Sequence, residues 1–118
     1  MLLRGNLRKK GLIFLNERHV TINSNGVLNY YDADRHGEAR ESIDLSSVQV
    51  QSVRFQYTNA QKQSMQKGTT QRPSANVDDE FRIYMQNHTT YIFRASKVAS
   101  LAQNPTIEKW ERVIRKFA

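Results

Sequence analysis

Apolar positions recur with a period of two along most of this chain, and with a helical period only at its end. Residues 3–8 form a first predicted strand, with Leu3 and Leu7 on one face. Lys9-Lys10-Gly11 opens a connection that carries the apolar run Leu12-Ile13-Phe14-Leu15. Residues 17–23 alternate again: Arg18, Val20 and Ile22 point one way, and His19, Thr21 and Asn23 the other. Asn23-Ser24-Asn25-Gly26 follows, and Asn-Gly supplies the positive φ angles of a tight hairpin. Residues 27–31 make the next strand, with Leu28 and Tyr30 on one face. After a polar loop over 32–41, two strands are expected, one with Ile43 and Leu45 inward and one over 48–55 with Val48 and Val50 inward. Phe81, Ile83 and Met85, then Tyr91, Phe93 and Ala95, complete the alternation around a turn at Asn87-His88-Thr89.

The last twelve residues change period. Ile107, Trp110, Ile114 and Phe117 are spaced three, four and three apart, which stacks them on one face of a helix with Val113 beside them. Glu108–Arg112 and Glu111–Arg115 are acid-first pairs four apart, suited to the solvent face. Asn104-Pro105 reads as the helix start, with Asn104 or Thr106 as N-cap. Residues 56–79 are rich in Gln, Asn, Ser and Thr and are expected to form a long flexible polar loop. Residues 96–104 read as a connector with a possible helical turn. The expectation is a mainly β fold of about seven short strands, a barrel or sandwich closed at one end by the Trp110 helix, forming a single domain over residues 1–118.

The chain has 118 residues, enough for one core. Its formal charge is +7, which favours polyanionic partners: an anionic membrane surface, inositol phosphates, nucleic acid or an acidic protein. Cysteine is absent, which removes disulfides, thiol nucleophiles and thiolate metal sites. No run approaches the roughly 20 apolar residues that span a bilayer as a helix, so membrane contact would be peripheral.

Taken in order, several segments resemble the pleckstrin-homology (PH) family over nearly the whole length. They are Gly5-Asn6-Leu7-Arg8-Lys9, Arg18-His19-Val20-Thr21-Ile22, Gly26-Val27-Leu28-Asn29-Tyr30-Tyr31, Ile43-Asp44-Leu45, Phe81-Arg82-Ile83-Tyr84 and Tyr91-Ile92-Phe93-Arg94-Ala95, closed by the helix with its single Trp110. The resemblance implies a seven-stranded antiparallel barrel of four plus three strands, in two near-orthogonal sheets capped by the helix. It also implies an inositol-phosphate site at the open end opposite the helix. Lys9 takes the position of the family's strand-one lysine, Arg18 that of its strand-two arginine and Tyr30 that of its strand-three tyrosine. Arg40 matches a further basic position. The middle basic position of the motif falls on Asn16, a departure.

The residues themselves support part of this. Arg18 lies in core phase with Val20 and Ile22, which is costly unless it sits at a barrel mouth. There it would grip a phosphate with parallel hydrogen bonds or pair with a carboxylate such as Asp32 or Asp34. Arg8, Lys9 and Lys10 cluster in sequence near the same mouth. The run 12–15 would either dip into a membrane interface or stay partly buried.

Phosphoinositide or anionic-lipid binding, targeting a larger signalling or scaffold protein to the cytosolic face of membranes, is therefore the expected function. The alternative is a protein-interaction module using the groove between strand five and the helix, or the 56–79 loop. His19, His36 and His88 are scattered with no nucleophile or metal partner at a recognisable spacing, and read as solvated surface. The five glycines are dispersed and form no phosphate loop. Catalysis, cofactors and metals are not expected. Tyr30, Tyr31 and Tyr84 are available for stacking on bases, but the basic residues are too spread to make an RNA-binding signature, so nucleic acid ranks third.

Overall fold

The computed structural model describes residues 2–11, 13–32, 38–58, 78–96 and 104–118. It contains β1 (Leu3–Lys10), β2 (Leu15–Ile22), β3 (Val27–Asp32), β4 (Glu41–Asp44), β5 (Val50–Gln56), β6 (Glu80–Met85), β7 (Thr90–Ala95) and one helix, α1 (Ile107–Ile114). The expectations for residues 33–37, 59–77 and 97–103, which include Asp34, His36 and most of the polar loop, fall outside the described residues, as does Leu12.

All seven strands form one antiparallel sheet in the order β4-β3-β2-β1-β7-β6-β5. The four-strand and three-strand halves are joined where β1 pairs with β7 through Leu7, Arg8 and Lys9 opposite Ala95, Arg94 and Phe93. The sheet is open, not a closed barrel: β4 and β5 are its two edges and share no ladder among the described residues. The chain crosses between them through a tight corner, with Ser47 N–H donating to the Asp44 carbonyl and Val50 N–H to the Ser47 carbonyl. That corner also corrects one expectation. Val48 is 85% exposed, because the strand starts only at Val50 and Val48 lies in the turn.

Register explains which residues form the core. Leu7, Val20, Ile22, Leu28, Ile43, Phe81, Ile83 and Phe93 share the inner face and are buried. β1 runs two residues further than expected, because its ladder with β2 continues to Lys10 opposite Leu15. In the β2–β3 hairpin only Gly26 takes a positive φ, 80°, and Asn25 does not. The Asn23 side chain organises this turn by accepting from the N–H groups of Asn25 and Val27. His19 lies on the outer face as expected but is not solvated: it is 6% exposed, its ring 6.1 Å from that of Tyr31 across the ladder.

α1 is capped by Thr106, whose side chain accepts from Lys109 N–H at 3.3 Å. Asn104 instead accepts the Asn6 N–H at 3.2 Å and ties the approach to α1 onto β1. The helix ends at Ile114, earlier than the periodicity suggested, yet Phe117 in the following turn still packs against the core. Both expected ion pairs form, Arg112 with Glu108 at 3.0 Å and Arg115 with Glu111 at 2.7 Å. Trp110 is fully buried, and its indole N–H finds no acceptor among the described residues. Apolar contact therefore anchors it, with its ring 6.3 Å from that of Phe81.

The approach to the helix is close enough to demand glycine at position 5, where an added Cβ would lie 2.5 Å from Pro105 Cδ. Gly5→Ala is expected to cost roughly 1–3 kcal/mol as overpacking, against about 3–5 kcal/mol for Trp110→Ala. Urea denaturation checks both, as a lowered midpoint with unchanged slope.

Candidate ligand-binding site

The helix covers one end of the sheet. Gly5 lies beneath Pro105 and Trp110, and Gly26 beneath Phe117. Lys9 is four residues further along β1, roughly 13 Å away at the rise of a strand, and marks the opposite end. There the inner face turns polar. Lys9 pairs with Asn16, Leu7 with Arg18, Arg18 with Asp32, and Tyr30 with Glu41, so all these side chains emerge on one face. Alternation alone thus brings Lys9, Arg18 and Tyr30 together, and Arg40 joins them from the segment before β4.

Lys9 Nζ sits over two aromatic rings, 5.1 Å from the Tyr30 centroid and 5.7 Å from that of Tyr91. Burial holds its pKa below the ordinary 10.5; Glu41 opposes that shift, and Arg18 and Arg40 add to it. The Tyr30 hydroxyl donates to Glu41 Oε2 at 2.6 Å. Burial, followed by this bond to a carboxylate, raises the Tyr30 pKa well above 10.0. The Tyr91 pKa is raised as well, by burial first and then by the nearby Glu41 carboxylate. Arg40 Nε donates to Asp32 at 2.5 Å, and this bond holds the Asp32 carboxyl below its usual range. Arg18 donates to the Glu17 carbonyl at 3.0 Å; it is Arg40, not Arg18, that takes the Asp32 carboxylate. Three cations therefore face two carboxylates at this end.

Arg8 and Lys10 do not join them. They occupy the alternate positions of β1, on the outer face, opposite Glu17 and Leu15. Arg8 is 6% exposed, and its Nε donates to the Ala95 carbonyl at 2.8 Å, inside the sheet. Lys10 is exposed. In the β1–β2 connection Ile13 is 80% and Phe14 70% exposed, an apolar tip beside the cationic end. The groove between β5 and α1 is spanned by side chains: the Tyr57 hydroxyl donates to Glu111 at 2.5 Å, and the Arg115 guanidinium lies 5.0 Å from the Phe55 ring centroid.

Sequence reasoning missed Glu41 and Tyr91. Both were signalled by phase. Glu41 is two residues before the inward Ile43, and Tyr91 two before Phe93. The argument that marked Arg18, a polar residue in core phase at a strand end, applies equally to them.

No family model and no curated relative matches the sequence. Solved structures do. The C-terminal PH domain of pleckstrin in complex with D-myo-Ins(1,2,3,5,6)P5 aligns with a TM-score of 0.62 at 15% identity, covering 97% of this chain and 91% of that one. The solution structure of the C-terminal PH domain of human pleckstrin aligns at 0.56 and 16%, covering 98% and 77%. The PH domain from TgAPH aligns at 0.55 and 15%, covering 98% and 82%. The chain has the fold of a PH domain.

The raised tyrosine pKa values have a thermodynamic sign. An unfolded tyrosine ionises near 10.0, whereas folded Tyr30 and Tyr91 keep their protons above that pH. Stability is therefore unaffected below about pH 10 and falls as pH rises beyond it, because only the unfolded chain releases these protons. Urea midpoints from pH 9 to 11 are expected to fall less steeply for Tyr30→Phe than for the wild type.

Proposed function

We propose that this PH-fold chain binds the phosphorylated head groups of anionic inositol phospholipids and so docks peripherally on membranes. One observation carries the reading: Lys9, Arg18, Tyr30 and Arg40, contributed by three strands and a loop, converge on one face at the end of the sheet opposite the helix. A planar guanidinium at Arg18, an ammonium at Lys9 and a phenol at Tyr30 are donors suited to phosphate oxygens. The inositol pentakisphosphate held by the pleckstrin domain supports the same class of ligand. The formal charge of +7 steers the domain toward an anionic surface. Exposed Ile13 and Phe14 beside the site supply apolar contact with the interface once the cations have engaged.

Arg8 has a structural role in this scheme, holding β1 to β7, and Lys10 contributes only to the outer field. At the β5–α1 groove that the protein-interaction alternative would use, Tyr57 is bonded to Glu111 and Arg115 lies on Phe55, while its other route, the 56–79 loop, lies largely outside the described residues.

Co-sedimentation with neutral, phosphatidylserine and phosphoinositide vesicles tests the proposal. Phosphoinositide vesicles are expected to pellet more protein than phosphatidylserine vesicles of equal surface charge, and Arg18→Ala to remove that excess. Phe14→Asp is expected to weaken vesicle binding while leaving binding of a soluble inositol phosphate unchanged. Binding that merely tracks charge, or is absent from every vesicle, overturns the reading and directs the search to protein partners.

A further inference from the structure

Glu41 is a carboxylate at the cationic end that the function above does not use. It opens the edge strand β4, opposite Tyr30 and in phase with buried Ile43. Its Oε2 accepts the Tyr30 hydroxyl at 2.6 Å, and its charge also acts on Tyr91. Lys9 Nζ lies over the rings of both tyrosines, and Glu41 is the anion that acts on it. One carboxylate thus takes up a phenol donor and faces an ammonium.

These are the donors a phosphate would need. A tyrosine hydroxyl carries one proton and donates one strong hydrogen bond, so Glu41 and a phosphate oxygen cannot both receive it from Tyr30. The two anions also repel each other at this range, in a setting partly shielded from water.

We propose that Glu41 is an internal anion occupying the head-group position, and that a phosphate binds only by displacing its carboxylate. The proposal rests on the anion-site reading given above. The backbone does not have to move. Arg40 N–H donates to the Tyr30 carbonyl at 2.8 Å and pins the start of β4, while the Glu41 residue is exposed and free to swing outward about its own torsions. Asp32 plays a different part, because its partner is Arg40 at the rim and not Tyr30 or Lys9. Glu41 therefore sets both the affinity of the site and how much phosphate charge it accepts.

Glu41→Gln keeps the side-chain volume and removes the charge. Calorimetric titration with soluble inositol hexakisphosphate, and sedimentation with vesicles carrying phosphatidylinositol 4,5-bisphosphate, separate a free phosphate ligand from a lipid one. The variant is expected to bind at least about tenfold more tightly than the wild type, near the lower, water-screened end of what removing one like-charge contact is worth. Adding Lys9→Ala to Glu41→Gln is expected to abolish the gain. Thermal unfolding guards against a purely structural role for Glu41 as an anchor for Tyr30: that role predicts lower stability with equal or weaker binding, and this result overturns the proposal. Glu41→Ala must give the same sign of affinity change. If the wild type and every Glu41 variant fail to bind either probe, the anion-site reading falls; if the wild type binds and Glu41→Gln binds no more tightly, only the displacement proposal does.

Discussion

The stacked pair Phe81 and Phe93 sits at the centre of this structure, ring centroids 5.2 Å apart, and both ends depend on it. Phe81 lies against Trp110 on the helix side, and Phe93 meets the Tyr30 ring edge-on at 6.0 Å toward the open end. A continuous aromatic run therefore leads from the capping helix through the core to the ring beneath Lys9. The pair exists because β6 and β7 place Phe81 directly opposite Phe93, and because β1 pairs with β7 over three residues and sets Lys9 opposite Phe93. That short junction is the only ladder between the two halves of the sheet among the described residues. If its register slipped by one residue, Lys9 would move to the outer face and Arg8 or Lys10 to the inner one.

The same period-two logic decides how much could be read from the sequence. The core phase of every strand but β5, the Trp110 face of the helix and the inward placement of Arg18 followed from spacing alone, because each is a local property; in β5 a register shift between Val50 and Ser52 turns Val53 and Phe55 inward, which alternation from Val50 does not foresee. Strand ends did not follow. β1 extends to Lys10 only because β2 is there to pair with it, and that continuation splits Arg8, Lys9 and Lys10, neighbours in sequence, onto opposite faces. A cluster of three basic residues in a strand is therefore one inner cation and two outer ones. The β1–β7 junction joins residues more than eighty positions apart, and no local pattern reveals it. The exposure of Val48 has the same origin, since an apolar residue in a corner reads like the start of a strand until the first hydrogen bond of β5 is known. Glu41 was legible by phase, but a search for cations at an anion site passes over a carboxylate.

Two scales of electrostatics meet at the open end. The excess of +7 acts over the whole surface and governs how strongly an anionic surface attracts the domain, within the reach that salt allows. The site is nearly balanced by comparison, its three cations facing Asp32 and Glu41. This is what a small fold requires in the absence of ligand: three positive charges converging on a strand end, one of them half-buried over aromatic rings, would repel one another unless carboxylates stood among them.

The two carboxylates achieve this differently, and the difference bears on recognition. Asp32 is about half exposed and holds Arg40 at the rim, where a bond to a guanidinium positions the group while leaving other N–H donors facing outward. It preorganises a cation for a ligand. Glu41 accepts from Tyr30, beneath Lys9, and so takes up a donor that a ligand would use. On the displacement proposal it holds that donor until a phosphate replaces it. Preorganisation raises affinity for any anion, whereas occlusion raises the threshold that an anion must exceed. On the displacement proposal, a site built with both would admit a ligand that offers enough phosphate charge to replace a carboxylate and would resist the single carboxylates that abound on protein surfaces. It is on these grounds that we propose phosphate rather than acidic side chains as the ligand of the open end, although the Tyr30 donor there is engaged by a carboxylate.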